Sequence, residues 1–311
     1  MKYAFFQGCN IPIRIPQYAT STQAVCNTFG IELEVVADFN CCGYPARNVD
    51  EKAYLLPSLR NMAIAEKMGL DIAVICNCCF ASLQKAKSIM AADSTLKDEL
   101  NGYLEKEALR YTGTVQIKHF LSILYEDIGI EKIKSRLVNR INALNISVIH
   151  GCHILRPREI TGFDDSFVPK ITDELVQLTG VTSLDWRGKL ECCGAALAGI
   201  NPELSDKLLQ EKIMGAKAAG ADYITPVCAY CHLQFDTAQK NLPGTSTADQ
   251  LLPVLLYPQL LGLCLGIDEK LLGIEQNSTI QAQDIQRIKA LFGPPGEEKK
   301  KKTKKKTEVA A

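Results

Sequence analysis

The sequence predicts an α/β protein built as two pseudo-symmetric halves, each a small, mostly parallel sheet with flanking helices. Three observations predict it. Short apolar strand-like runs alternate with helix-length segments, the pattern of parallel βα units. The same order of elements occurs twice along the 311 residues. In both copies, cysteines stand just where the strands end.

In the first half, Lys2–Gln7 is an aromatic, apolar run that reads as a buried strand. It stops at Gly8-Cys9, and Pro12 and Pro16 prevent further strand pairing. Gln17–Phe29 has helical spacing and halts at Gly30. Ile31–Ala37 places Ile31, Leu33 and Val35 against Glu32 and Glu34, the alternation of a half-buried strand, and leads into Asn40-Cys41-Cys42-Gly43. Asp50–Met68 is a helix with Asp50 as N-cap and Gly69 just past its end. Asp71–Ile75 is a buried strand ending at Cys76-Asn77-Cys78-Cys79, and Phe80–Met90 reads as helix.

The second half repeats the plan. Ile146–Ile149 is a strand ending at His150-Gly151-Cys152, and Phe167–Leu178 is a helix closed by Gly180. Val181–Leu184 is a short strand, followed by Glu191-Cys192-Cys193-Gly194. Pro202–Ala219 is a helix, with Asn201 as N-cap and Pro202 at its first position. Tyr223–Val227 is a strand ending at Cys228-Ala229-Tyr230-Cys231, and a helix runs from His232 to about Lys240. Each half closes on an apolar helical run, Thr114–Gly129 and Leu252–Gly266. The predicted division is a first cysteine-rich half over 1–130, a charged helical linker over 131–145, a second half over 146–292 and a disordered lysine-rich tail over 293–311.

Composition narrows the function. The chain has 35 basic and 35 acidic residues, but residues 297–311 hold seven Lys against three Glu. The remaining body is therefore mildly acidic, and with one Trp it does not suggest a nucleic-acid groove. A hydrophobic content of 47% excludes disorder for most of the chain. The longest apolar stretch, Leu251–Ile267, contains Pro253 and Pro258 and is short for a bilayer span of about 20 residues. It reads as a buried helix with a Pro-bounded start. The opening residues lack the pattern of a secretory signal, so a soluble, cytoplasmic protein is expected.

Thirteen cysteines, an odd number, cannot pair completely in disulfides. Without an export signal, they point to thiolate ligands or catalysts. Cys9 is followed after 31 residues by Cys41-Cys42, and after 33 more by the pair Cys76 and Cys79. Cys152 is followed after 39 residues by Cys192-Cys193, and after 34 more by Cys228 and Cys231. Each half thus delivers five thiols to the sheet edge where ligand sites of open α/β folds form. Cys26 and Cys264 fall inside predicted helices and read as buried small hydrophobes, while Cys78 is an extra candidate ligand. A closed zinc site needs four ligands, so five thiolates suit an iron–sulfur cluster better. The closely spaced signature of an ordinary cubane cluster does not occur in the chain.

This pattern resembles the cysteine-rich CCG motif. Two copies, with the opening MKYAFFQGCNIPIR and the later HGCHILRP, resemble the B-type subunits of heterodisulfide reductases over nearly the whole chain except the tail. The resemblance implies two non-cubane [4Fe-4S] clusters. Cys9, Cys41, Cys42, Cys76 and Cys79 would hold the first, and Cys152, Cys192, Cys193, Cys228 and Cys231 the second. The gaps of 33 and 34 residues are slightly shorter than typical of the family, and Cys78 is additional. It further implies reduction of a disulfide (CoM-S-S-CoB or an analogue), with each cluster supplying one electron. The implied partners are a ferredoxin-like iron–sulfur protein (the C-type subunit of such complexes) and a flavin-containing one (the A-type).

His153 and His232 directly follow cluster-loop cysteines and are candidates to protonate a leaving thiolate, or else loop histidines bonded to backbone. Arg14, Arg47, Arg156 and Arg158 are candidates to hold an anionic substrate, or else solvated surface residues. The tail lysines read as a solvated extension or a docking segment for an acidic partner. Two rival readings stand beside the first. One is an iron–sulfur subunit of another redox complex, for sulfur oxidation, sulfite reduction or lactate and glycolate oxidation. The other is a non-redox subunit stabilised by zinc, with one cluster plus one zinc as the intermediate case.

Overall fold

The computed structural model describes residues 1–243 and 250–294; the expected disorder of the tail lies outside these residues. Nine strands occur among them: β1 Lys2–Phe6, β2 Glu32–Val35, β3 Asp71–Val74, β4 Ile117–His119, β5 Arg140–Ile141, β6 Asn145–Ile149, β7 Thr182–Ser183, β8 Tyr223–Pro226 and β9 Phe292–Gly293. The first sheet has the order β2-β1-β3-β4 and is parallel throughout, with Tyr3 opposite both Leu33 and Asp71, and Ile72 opposite Ile117. Parallel strands need both faces covered. Accordingly Phe5, Phe6, Ile72 and Val74 are all buried.

The second sheet has the order β7-β6-β8, again parallel. Val254 then bridges Ile224 in parallel, in the place that β4 holds beside β3. Both sheets therefore follow one plan. In each, the chain steps to one side of the first strand and then to the other. Loops leaving the first and third strands diverge at that reversal and open a crevice at the strands' C-terminal ends.

The long helices form where the sequence signals put them. Glu51–Met68 starts from Asp50, whose carboxylate accepts from the Ala53 N–H at 2.7 Å, and ends on Gly69. Pro202–Ala218 starts from Asn201, whose side chain accepts from the Leu204 N–H at 3.0 Å. Pro16–Thr28 and Asn77–Ala92 cover the first sheet's other connections.

Four expectations need correction. Thr114–Gly129 is not one helix. Its β-branched start pairs as β4 along the free edge of β3, and helix begins only at Phe120. In Leu252–Gly266 the bridge at Val254 likewise precedes a shorter helix, Tyr257–Cys264. The helix expected from Phe167 starts at Ile171, because Asp164 accepts from the Lys170 and Ile171 N–H groups and Asp165 from those of Phe167 and Val168. The linker is helical only over Ile130–Arg136; it then extends as β5, which pairs antiparallel with β9 near the chain's other end.

The two halves exchange their closing helices. Tyr257–Cys264, from the second half, lies on Pro16–Thr28 of the first, and Phe120–Ser122 lies against Ile171–Leu178 of the second. Hydrogen bonds across the halves accompany the exchange: Gln17 donates to Asn277 at 3.1 Å, buried, and Tyr125 donates to Glu174 at 2.8 Å. Expressed alone, residues 1–130 would leave the Pro16–Thr28 helix without its cover. Differential scanning calorimetry should show no cooperative transition for this fragment, in contrast to the full chain. A sharp transition at the full-length temperature would contradict this.

Candidate cysteine centre

Eleven sulfurs form a continuous run of neighbouring thiols. In the first half it runs Cys9–Cys41–Cys42–Cys79–Cys76. In the second it runs Cys152–Cys192–Cys193–Cys231–Cys228, with Cys193 and Cys231 at 3.4 Å. Cys76 meets Cys228 where the halves join, and Cys78 touches both. The sulfurs of Cys76, Cys78 and Cys228 all lie within 4.8 Å of one another. Geometry thus brings together all ten sequence-predicted sulfurs and adds Cys78 between the two sets. Cys26 and Cys264 are fully buried elsewhere, as expected of small core residues.

The two sets share one electrostatic pattern. Cys41 and Cys192 each sit between two thiols that donate to them, which draws both down to about 2. Their outer neighbours Cys9 and Cys152, hydrogen-bonded to these two, are pushed well above the usual thiol range. Cys42 and Cys193, beside the same two sulfurs, rise to about 12. Burying several thiolates in contact is costly unless cations compensate them. A soft metal that binds thiolate is the compensation this donor set fits. The five sulfurs of each set exceed the four that a closed tetrahedral zinc site takes.

The turns that hold the sulfurs are also duplicated. Gly43 and Gly194 both have φ +82°, a left-handed conformation. A Cβ at Gly43 would lie 2.1 Å from the Tyr54 carbonyl oxygen, and one at Gly194 would lie 2.7 Å from that of Ser205. The glycine after each Cys-Cys pair is therefore required twice over, by conformation and by space. Behind the first pair, Asn61 holds the Asn40 and Cys41 carbonyls at 3.3 Å each. Behind the second, the Lys212 ammonium donates to the Glu191 carbonyl at 2.6 Å. Burial pushes Lys212 down from its usual range, and the sulfurs of Cys231, Cys193 and Cys192 pull it back up.

The sets differ in access. Cys152, Cys192, Cys193, Cys228, Cys231 and Cys78 line a cavity of about 400 Å³ walled by Tyr44 and Tyr230. The first set borders a space of only about 10 Å³ lined by Ile11, Tyr44, Pro45 and Tyr230, and its outer cysteine, Cys9, is exposed. A second cavity of about 360 Å³ shares Tyr44, Arg47 and His153 with the first and adds Lys85 and Arg156. Its walls are cationic.

Of the candidate histidines, only His153 lines these cavities. Its Nε2 lies 3.1 Å from both Tyr44 Oη and Arg47 Nη1. Arginine can only donate, so Nε2 is the acceptor and the ring proton is on Nδ1. Nδ1 faces the sulfurs of Cys152 at 3.4 Å and Cys78 at 3.5 Å. Burial holds His153 below its usual range, so the neutral ring with this tautomer prevails at neutral pH. His232 is instead fully buried, with Nε2 3.7 Å from Asp236. Arg47 and Arg156 reach the cavities, whereas Arg158 is exposed and pairs with Asp165, and Arg14 is exposed and lines neither. Sequence reasoning missed Tyr44, Tyr230, Lys85 and Lys212. Tyr44 and Tyr230 carried a signal, as they stand beside or within cysteine motifs; Lys85 and Lys212, inside helices, carried none.

The CCG family, a cysteine-rich domain, matches at residues 3–84 and 146–236. The B-type subunit of a ferredoxin/F(420)H(2)-dependent CoB-CoM heterodisulfide reductase, from Methanosarcina acetivorans, is 32% identical over 92% of this chain and 97% of its own. A protein from Archaeoglobus profundus, described as like the B-type subunit of heterodisulfide reductase, is 33% identical over 88% of this chain and 94% of its own. The 8-methylmenaquinol:fumarate reductase membrane anchor subunit of Wolinella succinogenes is 31% identical over 89% and 96%. Among solved structures, a hypothetical protein from Helicobacter pylori superposes with a TM-score of 0.72 at 14% identity, over 91% of this chain and 52% of that one, a likeness of fold. With both cysteine-rich repeats matched and these relatives spanning its length, the chain belongs to the family of heterodisulfide reductase B-type subunits.

Proposed function

We propose that the protein is the disulfide-reducing component of a heterodisulfide reductase-like complex. The observation that carries this reading is the pairing of two five-sulfur sets, joined through Cys76 and Cys228, at the edge of a substrate-sized cavity. In this reading Cys9, Cys41, Cys42, Cys76 and Cys79 hold one non-cubane [4Fe-4S] cluster, and Cys152, Cys192, Cys193, Cys228 and Cys231 hold the other. When bound, such clusters supply one electron each and an iron that accepts sulfur. Two electrons convert one disulfide into two thiolates, which matches the number of sets.

The chain's own side chains would do the rest. Tyr44 and Tyr230 flank the cavity with rings 6.3 Å apart and restrict where a chain carrying sulfur can lie. Arg47, Arg156 and Lys85 would hold an anionic substrate group in the adjoining cavity. His153 keeps a proton on Nδ1, the atom nearest Cys152 and Cys78, and is the nearest proton source for a leaving thiolate. Electrons would arrive from a ferredoxin-like [4Fe-4S] protein, the C-type subunit, supplied in turn by the flavin-containing A-type subunit. We place the complex in the cytoplasm; among the described residues, no helix is long and apolar enough to cross a membrane. The domain division into 1–130, 131–145 and 146–292 belongs to the same proposal, one cluster to each half.

A second reading is favoured by the Wolinella succinogenes relative, which is part of a fumarate reductase. On that reading the same sulfur sets would pass electrons without cleaving a disulfide. Electron paramagnetic resonance separates the two: a disulfide–thiol substrate should change the cluster signal of a reductase and leave that of an electron relay unchanged.

Anaerobically purified protein should contain about eight irons per chain. Cys42→Ala and Cys193→Ala should each halve the iron and abolish disulfide reduction, as read by iron assay and thiol release. Zinc without iron, or unimpaired turnover in either variant, would reject the scheme. His153→Gln should lower kcat by about a hundredfold or more, the usual scale for a lost proton donor, with iron content unchanged. Arg47→Gln should mainly raise KM for an anionic disulfide. Steady-state kinetics that showed the reverse assignment would exchange the two roles.

A further inference from the structure

The halves repeat in backbone but differ in charge at one buried position. Asn61 is the eleventh residue after the N-cap of its helix, and Lys212 is the eleventh after the N-cap of the equivalent helix. Both side chains bond the carbonyl of the residue before a Cys-Cys pair, Asn40 in one half and Glu191 in the other. Both residues are buried, Asn61 at 0% and Lys212 at 2% exposure. One is a neutral amide and the other an ammonium.

Little screens that ammonium. Trp186 lies over it, with the Lys212 Nζ 5.9 Å from the ring. The ring is seated on glycines: a Cβ at Gly188 would come within 2.3 Å of it and one at Gly215 within 2.8 Å. Water is thereby kept from the charge, and a charge in a poorly polarisable surrounding acts more strongly. The Glu191 carboxylate also acts on it, but Glu191 is exposed, where solvent and salt weaken its effect. Each Cys-x-x-Cys segment opens a helix, so the helix-terminus contribution is common to both sets. Arg47 is exposed at the junction, where solvent and salt weaken it.

We propose that Lys212 makes the two sites electrically unequal, setting the second at the higher reduction potential, so that electrons settle in the half that lines the larger cavity. An adjacent cation favours the reduced, more negative state of an iron–sulfur group, since net charge and hydrogen bonding tune its potential. The first half, with Asn61, lacks this bias. The inference rests on the two-cluster reading above.

The test uses the full chain, loaded with iron and sulfide, in redox titrations followed by electron paramagnetic resonance. The Cys42→Ala background isolates the second site and Cys193→Ala the first. In the former, Lys212→Gln should lower the midpoint potential, with the reduced-to-oxidised ratio at fixed poise falling about tenfold, or 59 mV for one electron. Lys212→Arg should restore it. In the Cys193→Ala background, Lys212→Gln should leave the potential unchanged. The converse variant, Asn61→Lys, should raise the potential of the first site, and it decides the matter if Lys212→Gln does not fold. An unmoved second site, equal shifts at both sites, or no rise with Asn61→Lys would overturn the proposal while two clusters remain. Iron-free protein would overturn the two-cluster reading itself.

Discussion

Sulfur crowding is the constraint around which the molecule is arranged. Ten cysteines from six separate loops, with Cys78 between them, meet in one unbroken line of contacts. No short segment could do this, because neighbouring residues in a loop cannot supply five sulfurs around one centre. Sheet topology does it instead. The reversal of strand order in each sheet parts the loops after its first and third strands and leaves a crevice between them. The loop after the second strand is turned inward by a glycine that no other residue can replace. The fold then carries a large electrostatic cost at its centre, since buried thiolates repel one another. A thiolate-binding metal is the compensation such a donor set suits.

Duplication gave the protein two such centres, and later differences made them unlike. One borders only a small space, while the other faces a cavity with tyrosine walls and a cationic annex. Tyr44 and Arg47 come from the first half and His153 from the second, so the cavity belongs to neither alone. Cys78, Cys152 and Cys192 line it together. Exchange of the closing helices and the buried Gln17–Asn277 contact keep the cavity's two walls in register.

Much of this was legible in the residues. The spacing of Cys-Cys-Gly and Cys-x-x-Cys, repeated after strands, picked out the ten sulfurs that the fold brings together. Asp50 and Asn201 announced their helices because capping is a local interaction. What escaped depended on distant partners. β4 and the Val254 bridge are strand because an open sheet edge lies beside them, which no local periodicity records. The helices Ser94–Leu104 and Ala282–Ala290 were not anticipated at all; the first has an Asp93 cap that could have marked it. Lys212 looked like any helical lysine, since its burial comes from Trp186 and from the loop it supports.

The small ladder of β5 with β9 decides where the lysine-rich segment is tethered. β5 comes just before the start of β6, and the cysteines follow the end of that strand. Pairing with β5 therefore anchors Phe292–Gly293 on the rear of the second sheet. The seven lysines begin a few residues beyond this anchor. The last described residues therefore lie at the end of that sheet away from the cysteine loops.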